Sequence, residues 1–367
     1  MAFKVRFVNY AAQYKNLRKE IDAAIKQVLS KGDLILRQQV KDFEDSMASF
    51  LGVKYAVGVS SGTDALLLSL KAAGIGQGHE VITVAHTFVA SIAAIVHSGA
   101  KPVLIDVGDD MVMDLSLLER AISPDTKAII PVHLNGRLCD MERLMKTAAR
   151  HNLVVIEDAA QGLGSALNGK KGGSFGLTGC FSFYPAKLLG AAGDAGLVST
   201  NDEGVASRIR IYRDHGRRTK EELVCYGFTS RLDNLQAAIL QVKLKSVPEW
   251  IKRRREIADL YNKGLAGVKG VKLPPRSDGR FFDTYQNYVL RVSKRDKLAA
   301  YLSEKGIETI ISNPIAVHRQ LALGISHFSL PYTEQLAKEV ISIPMYPELK
   351  NNQVEYVIQA IAGFYMK

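Results

Sequence analysis

Cysteine is scarce in this sequence. Only Cys139, Cys180 and Cys225 occur in 367 residues, and they share no metal-ligand spacing. So odd and sparse a set excludes the disulfide framework of a small secreted domain, and no metal site is expected. Long apolar runs are missing as well. The most apolar stretch, Phe88 to Val96, falls far short of the roughly 20 residues that a membrane span needs. The opening residues, MAFKVRFVNYAAQYKNLRKE, lack the apolar segment of a signal peptide. The expectation is a cytoplasmic protein with no membrane partner. Proline is sparse, and the 30 glycines follow no fixed period, which excludes collagen-like and low-complexity chains. Acidic residues number 37 against 48 basic ones, a net charge of +11. That balance suits nucleic acid, an anionic membrane surface or small phosphorylated ligands. No zinc pattern and no basic strand interleaved with aromatics supports the nucleic-acid reading.

What is present is ordinary globular material. Hydrophobic residues make up 47% of the chain and charged residues 23%, enough for a large buried core and about two domains. Apolar runs alternate with amphipathic stretches through the first two-thirds. Strands are expected at Tyr55–Val59, Val81–Val84, Pro102–Val107, Lys127–Val132 and Leu153–Asp158. Helices are expected at Thr63–Ala73, Phe88–His97, Leu115–Ile122 (opened by Asp114 as N-cap) and Met141–His151. Strand runs with little alternation, separated by helical patterns, indicate a mainly parallel sheet buried on both faces. The tail differs. Helices are expected at Glu249–Leu265, Arg295–Lys305 and Gln353–Phe364, and strands at Tyr285–Val292 and Val340–Ile343. The chain therefore divides into a large α/β domain, 1–245, and a smaller C-terminal α+β domain, 246–367. Within the tail, Gly270–Gly279 reads as a loop and Lys252–Arg255 as a solvated helix face.

Three constellations carry chemistry. Ser60-Ser61-Gly62-Thr63-Asp64 follows a strand and opens a helix. Free backbone N–H groups there bind an anion, and glycine lets the backbone approach a phosphate; plain capping by Ser61 or Thr63 is the structural alternative. Glu157-Asp158-Ala159-Ala160-Gln161 ends an apolar strand, where open α/β sheets place ligands. A buried acid there must be paired, and a protonated ring nitrogen is one such partner; capping of the next loop is the alternative. Phe181-Ser182-Phe183-Tyr184-Pro185-Ala186-Lys187 leads into the glycine-dense Gly190–Gly196. Burial would lower the lysine pKa and make its amine nucleophilic, as Schiff-base chemistry requires; a solvated surface lysine is the alternative. A phosphate cradle, an acid at a strand end and a buried lysine together suggest a pyridoxal phosphate enzyme.

The runs SSGTDALLL, VVIEDAAQGLGS, GCFSFYPAKLLGAAGDAG and FTSRLDNLQAAIL resemble the nucleotide-sugar aminotransferases of the DegT/DnrJ/StrS type. The resemblance extends from about residue 8 to the C-terminus. It implies the aspartate aminotransferase-like fold, with a seven-stranded sheet flanked by helices. It implies pyridoxal 5'-phosphate held by Lys187, which would then shuttle the substrate proton. Asp158 would pair with the pyridine nitrogen and Gln161 with the ring hydroxyl. Gly62 and Thr63 would give backbone amides to the phosphate, Ser182 a hydroxyl, and Phe88 would stack on the ring. Core packing is the alternative for Phe88. Arg231 and His318 would touch substrate, Arg231 from across a homodimer; a surface turn is the alternative for His318.

The family's GYNSRLD-like pattern has Asn where Thr229 stands in GFTSRLD. That Asn reaches the phosphate in the neighbouring subunit, and here the contact would fall to the threonine hydroxyl. The implied reaction moves an amino group, with glutamate as donor, to a nucleotide-linked keto-deoxysugar. The Gly193-Asp194-Ala195-Gly196 run resembles enzymes that aminate carbon 3, most simply of a dTDP-linked 3-keto-6-deoxyhexose. Carbon 4 of a UDP-, GDP- or dTDP-linked sugar is the alternative. Related dehydratases carry His in place of Lys187. Cysteine desulfurases need a mobile reactive cysteine, whereas Cys180 falls in an expected buried strand.

Overall fold

The computed structural model describes residues 3–366. Helices α1 (Tyr10–Lys31) and α2 (Gln38–Leu51) precede an alternation of β1 (Tyr55–Val59), α3 (Gly62–Ala72), β2 (Glu80–Val84), α4 (Ala90–Ser98), β3 (Lys101–Ile105), β4 (Thr126–Ile129), α5 (Met141–Arg150) and β5 (Val154–Asp158). A small hairpin, β6 (Ala166–Leu167) and β7 (Lys170–Lys171), leads to β8 (Thr178–Ser182) and β9 (Gly196–Thr200). Helices α6 (Glu203–Arg213), α7 (Asn234–Leu244) and α8 (Val247–Gly264) follow. The remainder runs β10 (Val271–Lys272), β11 (Phe281–Phe282), β12 (Tyr288–Val292), α9 (Arg295–Glu304), α10 (Pro331–Glu339), β13 (Val340–Ile343) and α11 (Asn351–Tyr365).

Seven strands form the central sheet in the order β1-β9-β8-β5-β4-β2-β3. Only β9 runs against its neighbours; the other pairings are parallel. The strands are apolar along their whole length because both faces are covered. Val57, Val81, Ile156 and Val198 pack with Leu66 of α3, Ile95 of α4 and Ile209 of α6. On the other face Ile82, Ile129 and Val155 meet Met141 and Leu144 of α5. Five strand expectations from residues 55 to 158 match strands within a few residues at each end. The crossover geometry leaves the carboxyl ends of β1, β2, β5 and β8 on one edge, which sets where a site can form.

A second sheet, β10-β12-β13, is antiparallel. Tyr261 of α8, Leu298 of α9 and Val357 of α11 cover it, around Tyr288, Leu290 and Ile341. The division at 245/246 is less clean than the sequence suggested. Val5 bridges to Ile307 and belongs to this second core. Helix α8 serves both cores, with Trp250 and Ile251 in one and Ile257 and Tyr261 in the other.

Two local expectations fail for physical reasons. Residues 115–122 form no α-helix; only a 3-10 turn at Glu119–Ala121 appears. Asp114 Oδ1 instead accepts from Ser116 N at 2.9 Å, a local turn that competes with helix in so short a segment. The Lys252–Arg255 run is not a solvated face. Lys252 is exposed, but Arg254 is only 4% exposed and donates to three backbone carbonyls. No helix among the described residues is long and apolar enough to cross a membrane. No cluster of potential metal ligands occurs among them.

Candidate active site

A cavity of about 580 Å³ opens at the carboxyl edge of the central sheet. Its walls are built from the ends of four strands. After β1 comes the start of α3. Ser61 is the N-cap, its hydroxyl accepting from Asp64 N at 3.1 Å. The next two amides, of Gly62 and Thr63, are left without helical partners, as at every helix start, and both residues line the cavity. Capping and anion binding are therefore compatible here. Ser60 and Ser230 also donate to the Asp64 carboxylate, which ties the 229–233 segment to this helix.

Helix α3 begins against the end of β8. A Cβ added at Gly62 would stand 2.8 Å from Ser182 Cβ, closer than side-chain carbons pack. Gly62→Ala is expected to cost about 1–3 kcal/mol of stability and to weaken phosphate binding. Thermal melts and cofactor titration check this. An alanine variant with unchanged melting temperature and cofactor affinity would show that the approach is not tight.

The end of β5 supplies two carboxylates that point opposite ways, as strand alternation requires. Glu157 is fully buried and accepts from the backbone amides of Gly173, Phe175 and Gly176, and it contacts His133 Nε2 at 2.9 Å. It serves the fold. Asp158 faces the cavity. Its Oδ2 accepts from Ser91 Oγ at 2.7 Å and its Oδ1 from Ala160 N at 3.2 Å. Gln161, just beyond, has its carbonyl fixed by Asn135 N at 2.8 Å, so its amide nitrogen is free toward the cavity. Phe88, in the loop after β2, is 67% exposed and lines the same wall. An aromatic ring left bare in a cavity is a stacking surface, so core packing does not describe it.

Lys187 lies between β8 and β9, half-buried against the cavity floor. Burial lowers its pKa, and the nearby Asp158 charge opposes that only in part. The fold thus makes the amine easier to deprotonate, toward its nucleophilic form. Cys180 is sealed inside β8, and burial raises its thiol pKa well above the usual value. It is inert as a nucleophile.

An anion cradle, a free aromatic face, a buried acid and a desolvated lysine share one cavity. This set fits pyridoxal phosphate: the phosphate at the start of α3 and Ser182, the ring beside Phe88, its nitrogen at Asp158. The DegT/DnrJ/EryC1/StrS aminotransferase family model matches residues 15–362. The chain belongs to that family. It is a pyridoxal phosphate-dependent aminotransferase. A "Pleiotropic regulatory protein" of Geobacillus stearothermophilus is 42% identical, covering 98% of each chain. The dTDP-3-amino-3,4,6-trideoxy-alpha-D-glucose transaminase of Streptomyces venezuelae is 40% identical over 98% of this chain and 95% of its own. A crystal structure of S. venezuelae DesV in complex with a ketimine intermediate superposes with TM-score 0.97 at 39% identity, covering 100% of both chains.

Three sequence-derived residues of this family member lie off the cavity. Thr229 sits on an exposed segment, its hydroxyl 3.2 Å from His215 Nε2. Arg231 pairs with Asp214 at 3.0 Å. His318 is the correction. It is neither a cavity residue nor a surface turn. It is fully buried, with Nε2 3.2 Å from Glu334 Oε1, beside an apolar cluster that includes Val317 and Leu330. Conversely, sequence reading missed Gln286, Asn287, Ser312 and Ser342, all of which line the cavity. Gln286 and Asn287 had one signal: a polar pair placed directly before the apolar run of β12.

Proposed function

We propose that this protein transfers an amino group from glutamate to carbon 3 of a nucleotide-linked keto-deoxysugar, most simply a dTDP-linked 3-keto-6-deoxyhexose. The observation that carries this reading is the desolvated Lys187 facing the same cavity as Asp158. The name of the S. venezuelae transaminase, a dTDP-3-amino sugar enzyme, supports both the nucleotide and the carbon. Asp194, in the Gly193–Gly196 run that suggested carbon 3, lines the cavity. A lysine in place of the dehydratases' histidine favours amination over dehydration.

Bound pyridoxal phosphate supplies an electron sink that stabilises charge at a carbon losing its proton. The chain's own residues do the rest. Gly62 and Thr63 amides and the Ser182 hydroxyl hold the phosphate by hydrogen bonds and the helix dipole. Phe88 covers one ring face. Asp158 keeps the ring nitrogen protonated through its negative charge, and Gln161 donates its free amide to the ring hydroxyl. Lys187 holds the cofactor and then, as a neutral amine, takes a proton from substrate and returns it as an ammonium.

The 214–231 segment supports a homodimer with shared sites. Leu223, Val224, Tyr226 and Phe228 are exposed on it, Tyr226 completely, an apolar patch that a second copy would cover. Thr229 and Arg231 would then face the partner's cavity, Thr229 toward the phosphate and Arg231 toward substrate. Three unpaired cysteines suit a reducing cytoplasm.

The test is direct. The purified protein is incubated with glutamate and with 3-keto and 4-keto nucleotide sugars, and the product is identified by mass and NMR. Conversion of the 3-keto isomer alone is expected. An amine on carbon 4 would overturn the regiochemistry, and no amination of any keto sugar would overturn the substrate class. Light scattering of an active monomer would exclude the shared site.

A further inference from the structure

The segment that carries Lys187 closes upon itself. Lys187 N donates to Tyr184 O and Ala191 N to Phe183 O, both at 2.8 Å. Gly190 must be glycine here, because a Cβ would stand 2.2 Å from Pro185 O. Two polar groups that flank the lysine, the Ala186 carbonyl and the Leu188 amide, are bonded by neither of these turns. One side chain from the second sheet's side of the molecule takes both. Gln286 Nε2 donates to Ala186 O at 2.9 Å, and Gln286 Oε1 accepts from Leu188 N at 2.6 Å. A carboxamide has one donor end and one acceptor end, so only this orientation satisfies both flanks.

The clamp is itself held. Gln286 is 6% exposed and sits just before β12. Its backbone carbonyl accepts from Arg254 Nη1 at 3.2 Å, and the same nitrogen reaches Tyr285 O and Met345 O at 3.0 and 2.9 Å. Arg254 is buried, which brings its pKa down to about 10, so it stays charged at neutral pH and its hydrogen bonds are charge-assisted. On the far side of the loop, Lys243 Nζ donates to Gly190 O at 2.7 Å. Polar side chains buried this deeply, aimed at the backbone on both sides of one lysine, set that lysine's position against the cavity.

We propose that Gln286 is a positioning residue for Lys187: by bracketing the lysine's backbone from the second sheet, it fixes where the amine stands in the cavity. This rests on Lys187 being the reacting lysine. A purely structural role for Gln286 would change melting temperature and leave the amine's chemistry alone.

The experiment compares the full-length protein with Gln286→Leu, of similar size but without hydrogen bonds, and Gln286→Asn, too short to reach both flanks. In cofactor-free protein, the pH profile of Lys187 modification by trinitrobenzenesulfonate is read by peptide mass spectrometry. In cofactor-loaded protein, kcat and KM are measured. In Gln286→Leu the labelling midpoint is expected to move up by about half a unit or more, as the freed amine reaches water. Its kcat is expected to fall about tenfold, with KM for the nucleotide sugar within about threefold. Gln286→Asn is expected to show a smaller shift of the same sign, and it decides the matter if Gln286→Leu does not fold. An unchanged midpoint in either folded variant overturns the proposal, whatever happens to melting temperature. Failure of the wild-type protein to take up pyridoxal phosphate would instead strike the functional reading, and the labelling profile is independent of it.

Discussion

Lys187→Ala is expected to abolish turnover, by about 10⁴-fold or more, while the variant still folds and binds pyridoxal phosphate non-covalently. The wild-type protein should be yellow. Borohydride should bleach it and leave the label on the peptide that contains Lys187. The prediction has a physical basis beyond the motif. Lys187 is half-buried at the cavity floor, near Asp158, and desolvation there lowers its pKa. Lys243 is buried, also with a lowered pKa, but its amine is committed to Gly190 O, so it does not compete.

The loss of activity should not come from a loss of fold. A lysine whose folded pKa lies below the unfolded value binds fewer protons when folded. Between the lowered value and the ordinary lysine value, stability therefore rises with pH, and below that window the buried charge is a penalty. Removing the amine removes the penalty, so cofactor-free Lys187→Ala should melt no lower than wild type at neutral pH. A label on another peptide, or an Ala variant with wild-type turnover, would sink the assignment.

The strands of the central sheet were legible because burial on both faces leaves an unbroken apolar run, as in Val154-Val155-Ile156 before Glu157 and Asp158. The floor of the site was legible for a related reason. Gly62, Asp158 and Ser182 stand at or just beyond the ends of apolar strands, and Lys187 in the loop that follows β8, at the edge where open α/β sheets place ligands. Composition alone could not separate Glu157 from Asp158; the family resemblance named Asp158, and the strand's alternation supplies the physical reason, sending Glu157 into the fold and Asp158 into the cavity. Arg254 was opaque because its neighbours, Lys252, Arg253 and Arg255, are exposed or half-buried. Only contacts with residues 285, 286 and 345, which lie far along the chain, make its burial tolerable. His318 failed in the opposite sense, its chemistry taken up by Glu334. The expected strand at Tyr285–Val292 begins only at Tyr288, because Tyr285 adopts φ 51° and Gln286 and Asn287 turn toward the cavity.

For Asp158→Ala, kcat is expected to fall about 10³-fold with little change in melting temperature, because the lost charge acts on the transition state rather than on the ground-state fold. Asp158 receives two hydrogen bonds, from Ser91 Oγ and Ala160 N. Ser91 keeps an alternative partner in Thr87 Oγ1 at 2.8 Å, so few groups are stranded when the carboxylate goes. Glu157→Ala should behave in the opposite way. It would orphan the buried amide of Gly173, the half-buried amides of Phe175 and Gly176 and the Nε2 of buried His133, at up to about 1–3 kcal/mol for each unsatisfied buried group. That variant should unfold at far lower temperature, or fail to accumulate, and any folded fraction should retain its cofactor chemistry. Asp158→Asn sharpens the comparison, since it keeps the shape and one acceptor while losing the charge. A visible spectrum and kcat close to wild type in Asp158→Asn would mean that the charge facing the ring is not what drives the reaction. A large drop in kcat for Asp158→Asn at unchanged melting temperature, beside a collapse of stability for Glu157→Ala, would divide the two adjacent acids between chemistry and fold.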